Sequence, residues 1–189
     1  FYSTSGEHLS VRMEVFEAIL RRRSVRSYLP DPIPQEKLDR ILEAGRLSPS
    51  AMNKQPWHFI VVTDPKKREE LAHGKFAWML KESPIVIVGC GDREASPKWY
   101  KVDTAIALQT MVIEATGEEL GTCWVGSFDE PRVKEILKIP DKYEVIAMLA
   151  VGYPKDGFSL TGTITSIFRN KKKTGEIVSY EEYGNSRRA

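Results

Sequence analysis

Residues 103–120 carry the longest helical pattern in the chain, with Ala105, Leu108, Val112 and Ala115 at i, i+3, i+7 and i+10. Its apolar residues extend nearly all the way round, so no one face can simply be given to water. Such a helix has to be covered either within one fold or between subunits. Residues 84–89 (PIVIVG) set the same condition for a strand, because they are apolar on both faces and belong at the centre of a sheet.

Other elements fall into place around these two. Val15, Phe16, Ile19 and Leu20 repeat at helical spacing over residues 13–22, which end in a basic turn. Pro34, Gln35 and Glu36 read as a helix start, and Leu38, Ile41, Leu42 and Leu47 give that helix a buried face up to the Ser48-Pro49 stop. Residues 58–63 (HFIVVT) are a strand, and Asp64-Pro65 opens a helix carrying KKREEL. Residues 130–138 are a short helix, and residues 143–152 (YEVIAMLAVG) a third strong strand. After Pro154 the pattern thins into a Gly/Thr/Lys-rich tail with one strand-like run at residues 176–179. The chain mixes α and β, with no internal repeat and no obvious interdomain linker.

With 189 residues and 41% hydrophobic content, one globular domain over residues 13–189 is expected. Residues 1–12 are polar and patternless, and read as a leader, a remnant or a disordered extension. A tail from about residue 155 with so little pattern of its own lies over something else, a partner subunit being one candidate. A net charge of +2 gives no general argument for nucleic acid or a membrane surface, and no apolar run reaches the roughly 18 residues of a spanning helix. Cys90 and Cys123 form neither a CxxC nor a metal cluster. No metal site, a cytoplasmic setting and two small core thiols are therefore expected.

Two segments are unusual for a core. Arg22, Arg23, Ser24 and Arg26 follow the first helix, and residues 48–57 (SPSAMNKQPW) follow the second. Alone, the arginines read as a solvated helix end, where cations gain about 0.3–1 kcal/mol from the last carbonyls. The other reading is a grip on a phosphate and on the polar edge of a ring, which a guanidinium contacts through paired donors. The loop can be plain punctuation, yet its serines, asparagine and glutamine are dense in donors and acceptors. The two segments together fit an anionic, planar, hydrogen-bonding ligand.

At this point the order of motifs resembles the nitroreductase family. Residues 22–62 look like its N-terminal signature, and "DTAIALQTMVIEATGEELGTCWVGSF" resembles its buried central helix and following turn. "EVIAMLAVGYP" is similar to its last sheet strand, and "RNKKKTGEIVSYEEYG" to its C-terminal arm. The resemblance implies an α+β, nitroreductase-like fold, a mostly antiparallel central sheet flanked by helices, intertwined as a homodimer with FMN at the subunit interface. It implies NADH or NADPH as donor, a small electron-poor acceptor such as a nitroaromatic or quinone, and alternating hydride transfers through flavin N5. Reductive dehalogenation, flavin fragmentation and flavin binding without turnover stay open beside this.

By the same resemblance, Arg22, Arg23, Ser24 and Arg26 match contacts to the FMN phosphate, ribityl chain and pyrimidine edge. Pro49, Ser50, Ala51 and Met52 match a loop that reaches the flavin of the other subunit, and Asn53 and Gln55 continue it. Trp124, Val125 and Gly126 match a turn whose backbone lies near N5. Arg169 and Lys171 match two basic residues of the arm. No catalytic side chain is implied, since the cofactor carries the chemistry. Lys75 and Trp78 stand where some members have an Asn/Lys pair. His58 reads as a strand residue, and the stretch from Lys98 to Lys101 as either a surface loop or a substrate-facing segment. Gly89-Cys90-Gly91 fails as a dinucleotide fingerprint, because Glu94 holds the third glycine position and Pro97 interrupts the helix.

Overall fold

The structure, a computed structural model, describes residues 13–73, 77–155 and 171–185. The chain forms two compact units, Phe1–Phe158 and Ser159–Ala189.

The first unit is built on a four-stranded sheet of β1 (Trp57–Val62), β2 (Ile85–Asp92), β3 (Gly121–Val125) and β4 (Tyr143–Gly152), in the order β1-β2-β4-β3. Every neighbouring pair is antiparallel. All of β2 is buried, as its two-sided apolarity requires of a central strand. Its odd and even residues part company. Val86, Val88 and Cys90 pack with Cys123, Val125, Met148 and Ala150, whereas Ile85 and Ile87 pack with Ala147, Leu149 and Val151 on the other face. A bulge keeps this alternation from carrying through β4. Gly89 pairs with Ala147 and Cys90 with Val145, so Ile146 has no partner across the pair.

One face carries α5 (Tyr100–Gly117), with α2 (Gln35–Arg46) packed on it. Leu108, Met111, Val112 and Ala115 meet Leu38 and Ile41 there. Burying each of the larger side chains contributes about 1.5–3 kcal/mol. The two helices touch closely because Gly45 lacks a side chain: a Cβ there would lie 2.1 Å from Met111 Cε. The opposite face is covered by α3 (Pro65–Leu71), α4 (Met79–Glu82) and α6 (Glu130–Leu137), which bury Leu71, Met79, Leu80 and Val133. Asp64 caps α3 by accepting from Lys67 N at 2.9 Å, as the Asp-Pro signal indicates.

Two helices show faces that periodicity left open, and one expected turn becomes a strand. The all-round apolarity of α5 divides into a buried half and an exposed row that includes Val102 (48% exposed) and Ile106 (39%). In α1 (Val15–Arg21), Val15, Phe16 and Ile19 point outward and Ala18 is the buried residue. Trp124 and Val125, read as part of a turn, lie in β3, and only Gly126 follows it. The strand is five residues long and opens with a glycine, too short for alternation to announce it.

In the second unit, residues 174–177 form a helical turn, α7 (Thr174–Ile177), where a strand-like run was expected. Lys173 N donates to the Glu176 carboxylate at 3.3 Å and Val178 N to Thr174 O at 2.9 Å. These local bonds outweigh the β-branched preference of Ile177 and Val178.

Candidate functional site

Where α1 ends, the chain becomes a strap along the sheet edge. Ser24 bridges Thr122 in parallel, Val25 N donates to Thr122 O at 2.9 Å, and Leu29 N donates to Tyr153 O at 2.9 Å. Val25 and Tyr28 point inward and are buried. The Tyr28 hydroxyl donates to Val25 O at 2.6 Å, and burial raises its pKa far above the usual range, so it stays a donor. Gly121 admits the strap, because a Cβ there would lie 2.6 Å from Val25 Cγ2.

With those two side chains fixed inward, the others face out. Ser24 and Arg26 are exposed, and Arg22 and Arg23 half-buried. The charges of Arg26 and Arg22 reach the Cys123 thiol, where they oppose the upward shift that burial causes. Both guanidiniums therefore stand near the strand that carries Trp124. That indole is 36% exposed, and Gly126, just beyond, has open space where a Cβ would be. Val125 between them is buried, so Trp124 and Gly126 are the parts of this segment open to a ligand. Among the described residues, neither Arg22 nor Arg26 forms an ion pair.

The loop before β1 is held differently. Met52, Asn53 and Gln55 have φ of 53°, 54° and 46°, the left-handed region. For non-glycine residues this costs about 1–2 kcal/mol apiece and calls for compensation. Ala51 N donates to both oxygens of Asp103, at 3.2 and 3.3 Å. Gln55 N donates to Ser50 Oγ at 2.9 Å, and the Gln55 amide donates to Asn53 Oδ1 at 2.9 Å. Pro49, Met52, Asn53 and Gln55 are exposed, Met52 to 89%.

One protomer does not bring the strap and the loop together. The loop leads into β1, and Trp57 aligns through Gly91 with Glu144. The strap meets β3 at Thr122, which aligns with Val151, seven positions farther along β4. The separation is about 23 Å along the strands and about 19 Å across them, four interstrand spacings from β1 to the strap. The two polar segments occupy diagonally opposite corners of one sheet.

Other candidates resolve simply. His58 is exposed on β1 and packs beside the Tyr143 ring, with 5.7 Å between centroids. Cys90 and Cys123 are buried, and burial pushes the Cys90 thiol up to about 11. The stretch from Lys98 to Lys101 is not a plain loop. Tyr100 and Lys101 begin α5 and bind Glu144 at 2.7 and 2.6 Å, while Trp99 stays 45% exposed just before them. Trp78 is half-exposed at the start of α4. Arg169 and Lys75 lie outside the described residues, and Lys171, in the second unit, is exposed. Sequence reasoning missed Asp103 and Glu144. The signal for Asp103 was an acid at the head of an otherwise apolar helix, which the periodicity passed over.

Comparison with known proteins agrees with this architecture. The Nitroreductase family matches residues 19–85 and 75–153. A Methanothermobacter thermautotrophicus protein, provisionally named NADH dehydrogenase/NAD(P)H nitroreductase, is 34% identical over 152 residues, covering 77% of this chain and 80% of its own. A solved nitroreductase family protein of Clostridium novyi NT is 33% identical, with a TM-score of 0.72 over 92% of this chain and 97% of its own. An FMN-dependent nitroreductase of Clostridium difficile R20291 is 27% identical, with a TM-score of 0.74 over 88% and 98%. With its strap, sheet and central helix all inside the matched range, the chain belongs to the nitroreductase family.

Proposed function

We propose that this chain, an FMN-dependent NAD(P)H oxidoreductase, reduces nitroaromatics, quinones or similar electron-poor small molecules. The observation that carries the placement of its cofactor is the strap. Two arginines without ion-pair partners among the described residues stand beside a serine hydroxyl and a half-exposed indole. FMN offers the complement: a phosphate, a polyhydroxyl chain and a flat ring with a polar edge. In this reading Arg22, Arg23, Ser24 and Arg26 hold the phosphate, ribityl and pyrimidine side. The backbone on either side of Val125, at Trp124 and Gly126, lines the N5 side.

Pro49, Ser50, Ala51, Met52, Asn53 and Gln55 then serve the FMN of a partner subunit, because their own strap lies at the far corner of the sheet. That geometry supports a homodimer, as do the outward apolar residues Val102 and Ile106 on α5 and Val15, Phe16 and Ile19 on α1. Bound FMN would supply the centre that takes hydride from the nicotinamide and passes it to the acceptor, in alternating half-reactions. The chain's part is to orient the ring, leave one face open and place N–H dipoles and cations where negative charge grows. Among the described residues no helix is long and apolar enough to cross a membrane.

The test is the visible spectrum of purified protein incubated with FMN, before and after anaerobic NADH or NADPH, followed by an acceptor panel. A bound flavin band that bleaches with nicotinamide and recovers with a nitroaromatic or quinone is expected. No flavin uptake overturns the assignment. Uptake without bleaching makes the chain a carrier, and dehalogenated or fragmented products would reassign the reaction within the same fold.

A further inference from the structure

The residue that fixes the polar loop is on α5, 52 residues away from Ala51 in sequence. Asp103 is 3% exposed, yet its carboxylate has one donor among the described residues, the N–H of Ala51 shared between both oxygens. A buried carboxylate usually collects several donors, since an unsatisfied acceptor is costly. Here a sparingly satisfied acid is aimed at the first residue of a short 3-10 turn, Ala51–Asn53, inside which the chain turns left-handed. The other bonds within the turn are short-range: Asn53 N to Ser50 O, Lys54 N to Ala51 O and Gln55 N to Ser50 Oγ. They set the shape of the turn but not its place. Pro56 O, accepting from Asp92 N at 2.7 Å, secures only its far end.

We propose that Asp103 is a positioning residue for the flavin-facing loop, holding residues 50–55 through the Ala51 N–H so that Asn53 and Gln55 are presented at a fixed point. This rests on the reading of that loop as a flavin contact. α5 is tied at the same end by the Tyr100 and Lys101 bonds to Glu144, so the anchor sits on a helix turn with its own links to the sheet.

The bond can be cut from either side. Asp103→Ala removes the acceptor, and Asp103→Asn keeps one oxygen in place. Ala51→Pro removes the donor and fits the backbone, because Ser50 is extended (φ −143°, ψ 156°) and proline suits a first helical position. D103A and A51P are each expected to raise the FMN dissociation constant about tenfold, and D103N by less than about threefold. The double variant D103A/A51P should stay near tenfold, since both changes remove one bond. An approach to a hundredfold means two independent structural losses and overturns the proposal, as do single variants that bind FMN like wild type. Hydrogen exchange of the Ala51 amide in flavin-free protein reads the anchor without the cofactor: protection in wild type and loss in D103A are expected, and equal exchange overturns it. Wild-type protein that takes up no FMN instead overturns the reading of the site on which the proposal rests.

Discussion

The strap and the loop carry the two polar faces of the proposed site, yet they reach their positions by different physics. The strap is held by backbone: its bridges to Thr122 and Pro154 borrow the sheet's rigidity, and Val25 and Tyr28 fill the core beneath it. The loop is held by side chains, Asp103 to Ala51, Ser50 to Gln55 and Gln55 to Asn53. It also contains three left-handed residues within four positions. Glu119 and Lys138, also left-handed, instead end helices, where the conformation is ordinary capping. A sheet-held strap tolerates side-chain change and presents charge, whereas a side-chain-held loop presents shape and is vulnerable at each bond.

The largest expected effect lies on the strap. Removing both arginines with R22A/R26A should weaken FMN binding about a hundredfold, since each charge-assisted contact is worth roughly a factor of ten. Asn53→Ala should cost only a few-fold. Flavin fluorescence titration measures both, and equal losses would end the distinction between a charge face and a shape face. Next is the strap's seat. Gly121→Ala puts a Cβ 2.6 Å from Val25 Cγ2, close to the bridge between Ser24 and Thr122. A loss of about 1–3 kcal/mol in urea unfolding is expected, together with weaker FMN binding. Full stability with unchanged affinity would mean that the strap does not depend on its fit to β3.

Much of this was legible in the residues. The two-sided apolarity of PIVIVG placed β2 at the sheet's centre, and the Asp64-Pro65 pair marked the start of α3, because both signals are local and strong. The polar character of the strap and the loop was legible too. What stayed hidden depends on contacts far apart in sequence. Pairing with β4 makes residues 121–125 a strand, although a short segment opening with glycine shows no alternation of its own. Asp103 looked like an ordinary helix-start acid, and only the fold sets it opposite Ala51. Val15 and Phe16 follow a core-like rhythm but face outward, because periodicity identifies a stripe without saying what covers it.

A smaller effect tests strain in the loop. Met52 is 89% exposed at φ 53°, so its side chain offers little packing to offset a left-handed backbone. Met52→Gly should stabilise the protein by about 0.5–1 kcal/mol, the relief at φ > 0 exceeding the entropy that glycine adds to the unfolded chain. A lower midpoint in thermal unfolding would mean that the methionine makes contacts worth more than its strain.

The smallest effect compares the two thiols. Cys90 lies mid-sheet with its thiol pushed up to about 11, chiefly by burial, which leaves on the order of one thiolate in a thousand at pH 8. Burial also raises Cys123, but Arg26 and Arg22 pull it back. Both should resist a disulfide reagent in the native protein, with Cys123 reacting first and losing that lead in R22A/R26A. Mass mapping of the first labelled cysteine reads the order. If Cys90 leads in wild type, the strap's charges do not act at β3, and the positive face attributed to Arg22 and Arg26 must lie elsewhere.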